Sequence, residues 1–345
     1  EDGQLLFLSN ASMTEQAIGE ASLKGKEALL MDLSTGKVLD YPAVANGETI
    51  TLHYDIPPAG SMLFFVSDRS IHTGNLYKPM PAATPVNASA TTMQRLQPNV
   101  LTIDFCDVQL GKDVYRDEHV YNAADKAFKY FGFTNGNPWN TSVQYKRNII
   151  DRDTFNANSH ITARYYFTVG AHVNPQQLQA VVERPNIWKV KLNGQSLTPK
   201  QGQWWLDKTF AVYDIAAAVK PGQNTIEITA APMSIFAEIE PVYILGDFSL
   251  RSEAKGWSLQ APIPLHFGSW KEQGLPLYGH EVAYRKTFPL NNNKGYCVKL
   301  DSWKGTVAAV KVNGKNAGII DIPPYTLDIS NQLQPGNNTV EVVVT

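Results

Sequence analysis

The sequence predicts an all-β chain of tandem antiparallel sandwiches, and three observations carry that prediction. Apolar and polar residues alternate with a period of two along many short runs, as in Ile50, Leu52, Tyr54 and Ile56 against Thr49, Thr51, His53 and Asp55. Asn-Gly pairs follow two such runs, at Asn193-Gly194 and Asn313-Gly314, and supply the positive φ angles of a tight hairpin turn. The surroundings of these turns also repeat. Arg164 and Phe167 precede the first turn and Arg285 and Phe288 the second in the same R-x-x-F spacing, with Arg-to-Asn separations of 29 and 28 residues. Downstream, Asp214 and Asp328 each precede a Pro-Gly by seven residues and an Asn by ten, and the main length difference between the copies is six residues. Four landmarks in the same order indicate an internal duplication. Two copies point to tandem domains, where three or more would suggest a solenoid.

In chain order, residues 1–68 hold five short strands, among them "LLFLSN", "EALLMDL" and "SMLFFVSD", enough for a small antiparallel sandwich. Residues 69–98 carry four prolines with many Ala and Thr in "YKPMPAATPVNASATTMQRLQPN" and no sustained period, which reads as a linker. Strands resume at Asn99. The best helix candidate follows in "VYNAADKAFKYFGF", where Val120, Ala124, Ala127, Phe128 and Phe131 share one face and Asp125 and Lys129 form an i,i+4 pair on the other. The first repeat unit then spans 99–250 and the second 251–345.

Composition narrows the partners. The 345 residues carry 30 basic and 32 acidic side chains without a run of like charge, so nothing attracts a nucleic-acid backbone or an anionic membrane surface. No apolar run approaches the ~20 residues needed to span a bilayer. The opening "EDGQLLFLSN" lacks the flanks of a signal peptide, and the abrupt start and finish suggest a piece of a longer polypeptide. Cys106 and Cys297 both sit among strand residues, where buried free thiols are the favoured reading and a disulfide the alternative.

Several motifs then resemble a known family. Tyr284-Arg285-x-x-Phe288, "VNGKNAG" and "PPYTLDISNQLQPGNNTVEVVVT" resemble the galactose-binding-like jelly-roll domain of many glycoside hydrolases, especially the sugar-binding domain of family 2. "EIEPVYILGDFSL" followed by "EQGLPLYGHEVAYRKTF" looks like the C-terminal region of large bacterial enzymes similar to glycoside hydrolase family 106, the α-L-rhamnosidases. The opening unit, with "FLSN", "DLSTGKV" and "IPPAGSMLFFVSD", is similar to the small β-sandwich that follows the catalytic barrel in such proteins. The resemblance implies a small sandwich followed by two galactose-binding-like jelly rolls, secreted to the periplasm or the cell exterior. It further implies that the catalytic barrel of the same polypeptide, a partner of this segment, lies upstream, so that this segment holds no active site.

The chemistry-bearing residues agree with a non-catalytic reading. Glycoside hydrolysis normally uses two carboxyl groups. Asp151 with Asp153 and Glu238 with Glu240 are i,i+2 pairs that would share one face of a strand, but such pairs in a β protein are usually a solvated sheet face. The seven histidines show no H-x-H or H-x-x-x-H spacing, and there is no G-x-S-x-G elbow or phosphate loop. No cofactor is implied, although a structural calcium held by loop carbonyls and an Asp is compatible with a jelly roll. Carbohydrate is the expected partner. Sugar rings stack on indole faces, which singles out Trp204 and Trp205 in "GQWWLD", where one of two neighbours on a strand faces outward, and Trp270 and Trp139 in turn-rich stretches. Core packing or loop anchoring is the favoured reading for each, with a glycan platform as the alternative. The leading expectation is thus an accessory segment that braces a catalytic domain or holds glycan. The alternatives are a stand-alone carbohydrate-binding or adhesion protein and, after it, a complete glycosidase.

Overall fold

A computed structural model of the chain describes residues 2–79, 83–141, 143–290, 295–301 and 303–345. It is all-β, with a single α-helix among the described residues, and it divides into two compact units: residues 1–94 together with 281–345, and residues 95–280.

The N-terminal sandwich has seven strands rather than the expected five. Gly3–Ser9, Ser61–Ser67, Glu27–Met31 and Val38–Tyr41 form one antiparallel sheet, and Ala17–Lys24, Thr49–Ile56 and Ala43–Asn46 form the other. The alternation in Thr49–Ile56 is realised, with Ile50, Leu52 and Ile56 buried and Thr49, His53 and Asp55 exposed. These side chains close on Ala28, Leu30, Phe64 and Val66 to form the core. Ala17–Lys24 escaped the sequence reading because three of its four inward positions, Ala17, Gly19 and Ala21, are small. Gly19 pairs with Tyr54, and a Cβ there would lie 2.4 Å from the Tyr54 hydroxyl, so the missing side chain is the space the ring occupies.

The stretch expected to be a linker is tied down at both ends. Asp40 accepts hydrogen bonds from the Thr73 and Gly74 amides at 2.7 and 3.2 Å, and Tyr77 packs on Tyr41 at 4.9 Å, which fastens residues 73–77 to the small sandwich. Residues Thr92–Arg95 are a strand neighbouring Val282–Leu290, and the Ser89 amide donates to the Thr287 carbonyl at 2.8 Å. The polar composition concealed this strand, since only Met93 and Arg95 are even half-buried within it.

In residues 95–280 a larger sheet runs in the order Asp113–His119, Phe105–Leu110, Ile161–Val169, Gly222–Ala230, Lys189–Leu192 and Gln195–Ser196. The facing sheet runs Pro199–Trp205, Asp207–Asp214, Gln179–Glu183, Val242–Gly246 and Asn99–Ile103. Val108, Ala163, Tyr165, Ile226 and Ile228 from the first meet Leu101, Ala180, Tyr213 and Ile244 from the second in one core. The helix forms at Val120–Tyr130, capped by His119, with Val120, Ala123, Ala124, Ala127 and Phe128 buried and a 2.7 Å Lys129–Asp125 ion pair.

The boundary expected at 250/251 falls differently. Trp257–Gln260 pairs in parallel with Ile161–Val169 and antiparallel with Ser249–Ser252, and the Gly274 carbonyl accepts from Leu250 N and Asn99 Nδ2. Backbone pairing therefore carries residues 251–280 into the central unit. The second jelly roll is assembled from Thr92–Arg95, Val282–Leu290, Gly336–Val344, Ala308–Val312 and Lys315–Ile320, with a small sheet of Cys297–Lys299 and Thr326–Asp328. Its strands thus flank the other roll in sequence.

The duplication is visible bond by bond. Asn193 and Asn313 adopt φ of 50° and 51° before Gly194 and Gly314 at 86° and 78°, as the hairpin turn requires. Asn193 Nδ2 donates to Asn224 Oδ1 at 2.8 Å, and Asn313 Nδ2 to Asn338 Oδ1 at 2.9 Å. The two acceptors are fully buried, and each also spans its own loop: Asn224 donates to the Lys220 and Gly222 carbonyls, Asn338 to those of Gln334 and Gly336. Arg164 pairs with Glu227 at 2.8 Å and donates to Gln109 Oε1, while Arg285 pairs with Glu341 and donates to Gln94 Oε1. Both arginines are therefore cross-strand clamps. The last correspondence also equates Thr92–Arg95 with Phe105–Leu110, the strand beside the arginine in each copy.

Candidate functional site

The four tryptophans singled out in the sequence occupy different settings. Pro199–Trp205 is an edge strand whose register with Asp207–Asp214 shifts around Trp204, and Trp204 is 52% exposed there. Its neighbour Trp205 packs with Phe210 and Tyr243 over Val100, Val181, Val212 and Leu245, its ring 4.9 Å from that of Tyr243. Trp139 donates its indole N–H to the Ile235 carbonyl at 2.7 Å and tilts against Phe236 at 5.5 Å. Trp270, half-buried in the one-turn helix Trp270–Gln273, meets Tyr278 edge-on at 6.2 Å. Trp204 is the tryptophan that presents its ring to solvent; the other three are held by packing.

The carboxylate pairs do not sit on strands as the sequence pattern suggested. Asp151 lies in the one-turn helix Ile150–Arg152 and pairs with Lys146, while Asp153 accepts from the Ile235 amide at 2.9 Å. Glu238 and Glu240 lie in the segment before the strand Val242–Gly246, where Glu238 meets Glu183 at one guanidinium and Glu240 feels the charges of all three. Arg184 lies 3.3 Å from Glu183 Oε1 and 3.5 Å from Glu238 Oε2, and it donates to the Phe236 carbonyl at 3.0 Å. Asn137 Nδ2 donates to Glu238 Oε1 at 2.9 Å. Burial, and then the neighbouring charges of Glu238 and Glu183, push the Glu240 carboxyl up to about 7 against the opposing pull of Arg184. Burial raises Glu183 as well. A carboxyl titrating near neutrality beside an ion-paired one can donate a proton at physiological pH. The contacts around Arg184 and Glu238 also fasten residues 235–238 to the end of the strand Gln179–Glu183, and that holding role accounts for each of them.

The sequence reading missed a pocket of 310 Å³ bordered by Trp188, Lys189, Lys191, Ser196, Pro199 and Tyr213. It opens at the side of the central sandwich where Lys189–Leu192 and the edge strand Gln195–Ser196 of one sheet approach Pro199–Trp205 of the other. Trp188 and Tyr213 look like core residues in the sequence, and by burial they are; two lysines at alternate positions beside a buried tryptophan were the available signal. A second, more open hollow of 380 Å³ lies among Tyr145, Lys146, Arg147 and Asp151. Among the described residues no group of three or more His, Cys, Asp or Glu side chains is arranged to hold a metal ion, and no helix is long and apolar enough to cross a membrane.

No protein-family model matches the chain, and no curated protein sequence matches it. Solved structures of glycoside hydrolases do align with it. A rhamnosidase from Novosphingobium sp. PP1Y aligns at 17% identity over 71% of this chain and 23% of its own, with a TM-score of 0.23. An α-L-rhamnosidase from Streptomyces avermitilis, complexed with L-rhamnose, aligns at 13% identity over 97% of this chain and 34% of its own, with a TM-score of 0.29. A β-D-glucuronidase from Dictyoglomus thermophilum aligns at 12% identity over 72% of this chain and 38% of its own, also with a TM-score of 0.29. The chain spans between about a quarter and two-fifths of the length of these enzymes.

Proposed function

We propose that this chain is a non-catalytic accessory region of a secreted glycoside hydrolase similar to family 106, which braces a catalytic barrel of the same polypeptide and holds carbohydrate on its central jelly roll. The observation that carries the binding part is Trp204: a half-exposed indole on an edge strand offers a ring face to a sugar, while its neighbour anchors the strand from the other side. The bracing part is supported by the duplicated clamps. Arg164–Glu227 and Arg285–Glu341 spend their charges across strands, as a scaffold would. The family assignment is supported by the "GDF" and "PPY-x-x-D-I" motifs, and secretion to the periplasm or cell exterior goes with it.

The test is calorimetric titration of the intact chain with rhamnose-, galactose-, xylose- and mannose-containing oligosaccharides. Saturable binding that Trp204→Ala removes is the expected result; binding indifferent to Trp204→Ala would assign the sugar elsewhere. One observation favours a second reading, in which the chain is a glycosidase in its own right: the Glu240 carboxyl near neutrality beside Glu238. Turnover of aryl glycosides by this chain, abolished by Glu240→Gln, would establish that reading in place of the first.

A further inference from the structure

The five-stranded sheet of the central roll keeps apolar side chains covered on its outer side. Val181 alternates with the core residues Ala180 and Val182, and Val212 with Ala211 and Tyr213, so both valines point away from the core. Yet Val181 is 0% and Val212 4% exposed. Their cover is aromatic. The rings of Trp205 and Tyr243 meet at 4.9 Å although the strands Asp207–Asp214 and Gln179–Glu183 run between theirs, so both side chains lie along the sheet surface instead of standing off it. Phe210 joins them 6.1 Å from Tyr243. All three rings stay half-buried, with one side on the valines and part of the surface in water.

The strip continues in polar groups. Phe210 is paired in register with Glu183, which sets the two side chains next to each other on this face. Arg184 follows in a left-handed conformation, φ 54°, that is disfavoured for a residue with a Cβ, and its guanidinium reaches Glu183, Glu238 and, at 5.9 Å, the ring of Phe236. Phe236 is itself exposed and tilts against Trp139. Aromatic rings therefore flank a row of carboxyl groups. The charges of Glu238 and Glu183 reach Glu240, and that of Glu240 reaches Tyr243. Neither the Glu240 carboxyl nor the Tyr243 hydroxyl makes a hydrogen bond or ion pair among the described residues. Among those residues Arg95 Nη1 is the one enclosed side-chain nitrogen or oxygen without a partner, so both of these groups touch water. The holding role that accounts for Arg184 and Glu238 leaves them unexplained.

We propose that this outer face carries an uncharged glycan chain, laid from Tyr243 across the carboxyl row to Phe236. Tyr243 and Phe236 would stack against C–H faces of its sugar rings, with Trp205 holding Tyr243 flat, while Glu240 accepts hydrogen bonds from its hydroxyls and the Tyr243 hydroxyl donates one. Three carboxyl groups facing one guanidinium favour hydroxyl donors, because hydrogen bonds to an ionised acceptor are about twice as strong as neutral ones, and they repel an acid group on the sugar. The inference rests on the reading of the chain as a glycan-holding region and adds to it a second site, which does not include Trp204, with a stated charge preference.

The test is calorimetric titration at pH 8 of the intact chain and of its Trp204→Ala variant. The probes are the hexasaccharides of β-linked glucose, mannose and galactose, each beside its C6-oxidised uronate form. Trp204→Ala should silence one class of site and leave the other. At the remaining site at least one neutral hexasaccharide should bind about tenfold or more tightly than its uronate, a difference of about 1.4 kcal/mol. Phe236→Ala, added to Trp204→Ala, should weaken that binding about threefold to tenfold. Glu240→Gln in the same background should weaken it about fivefold and narrow the gap to the uronate, and urea unfolding of the variant shows whether the loss belongs to the site or to the fold. Equal affinity for neutral and oxidised forms, or residual binding untouched by both substitutions, would overturn the proposal. Loss of all glycan binding in Trp204→Ala would overturn it while leaving the broader reading intact. Silence from every glycan in the parent chain would sink both.

Discussion

Replacing Glu240 by Gln should stabilise the protein, and only above mildly acidic pH. The folded chain raises this carboxyl from 4.5 to about 7 through burial and the charges of Glu238 and Glu183, so folding favours the protonated form. The relative stabilisation from that preference is complete below pH 4.5 and is lost as pH rises through 7; above that, a charged group is held where water would serve it better. At full value the difference corresponds to about 3 kcal/mol. Glu240 keeps part of its surface in water, and screening reduces the expected effect to about 1–2 kcal/mol. Urea unfolding followed by tryptophan fluorescence reports on the right unit, because every tryptophan except Trp303 lies within residues 95–280. At pH 5 the variant and parent should differ little, and at pH 8 Glu240→Gln should be the more stable by that margin. Glu183, raised in the same sense, adds to the decline of parent and variant alike. A variant no more stable than the parent at pH 8, or stabilised equally at both pH values, would refute the account of the cluster.

The two adjacent indoles should separate binding from folding: Trp204→Ala should leave stability within about 0.5 kcal/mol, whereas Trp205→Ala, which removes a packed ring, should cost about 2 kcal/mol in the same denaturation assay. Asn224→Ala and Asn338→Ala each delete a buried amide that ties a loop to an Asn-Gly turn, and each should cost about 2–4 kcal/mol by calorimetry; losses under about 1 kcal/mol would mean the repeated network is decorative. Burial pushes the Cys106 thiol up to about 12, with Asp107 and Glu118 adding to the effect, so Ellman's reagent should react with it only after unfolding, leaving the half-buried Cys297 as the thiol available in the native chain.

Much of the fold could be read in the sequence because it was written in residues whose conformational demands are strict. Asn-Gly turns, R-x-x-F strands and the Pro-Gly-x-Asn loops located the duplication, and the structure shows each landmark in a matching bond. What stayed hidden was written in residues without such demands. Ala17–Lys24 is a strand whose inward Gly19 leaves room for the bulk of Tyr54 across the sheet, and Thr92–Arg95 is a polar strand whose identity depends on Arg285, 191 residues from Gln94. No local pattern reveals a partner so far away. The site was legible to the same degree. The exposed position of one indole follows from strand alternation, but the pocket beside Trp188 and Tyr213 is a property of two sheet edges meeting, and the convergence of Glu183 with Glu238 and Glu240 is a property of topology.

The strand Thr92–Arg95 also fixes an order of events during synthesis. When it leaves the ribosome its neighbour Val282–Leu290 has yet to be translated, and the whole of residues 95–280 must emerge in between. The inner roll can close on itself while the nascent chain is still growing; the outer one waits for the final stretch. A polypeptide terminated early by a premature stop near residue 280 would therefore keep a finished inner roll and carry a widowed strand ahead of it, an open edge of the kind that recruits foreign chains. Shuffling of this region between genes would preserve both rolls only if the segment from about residue 83 to Thr345 travelled as one piece.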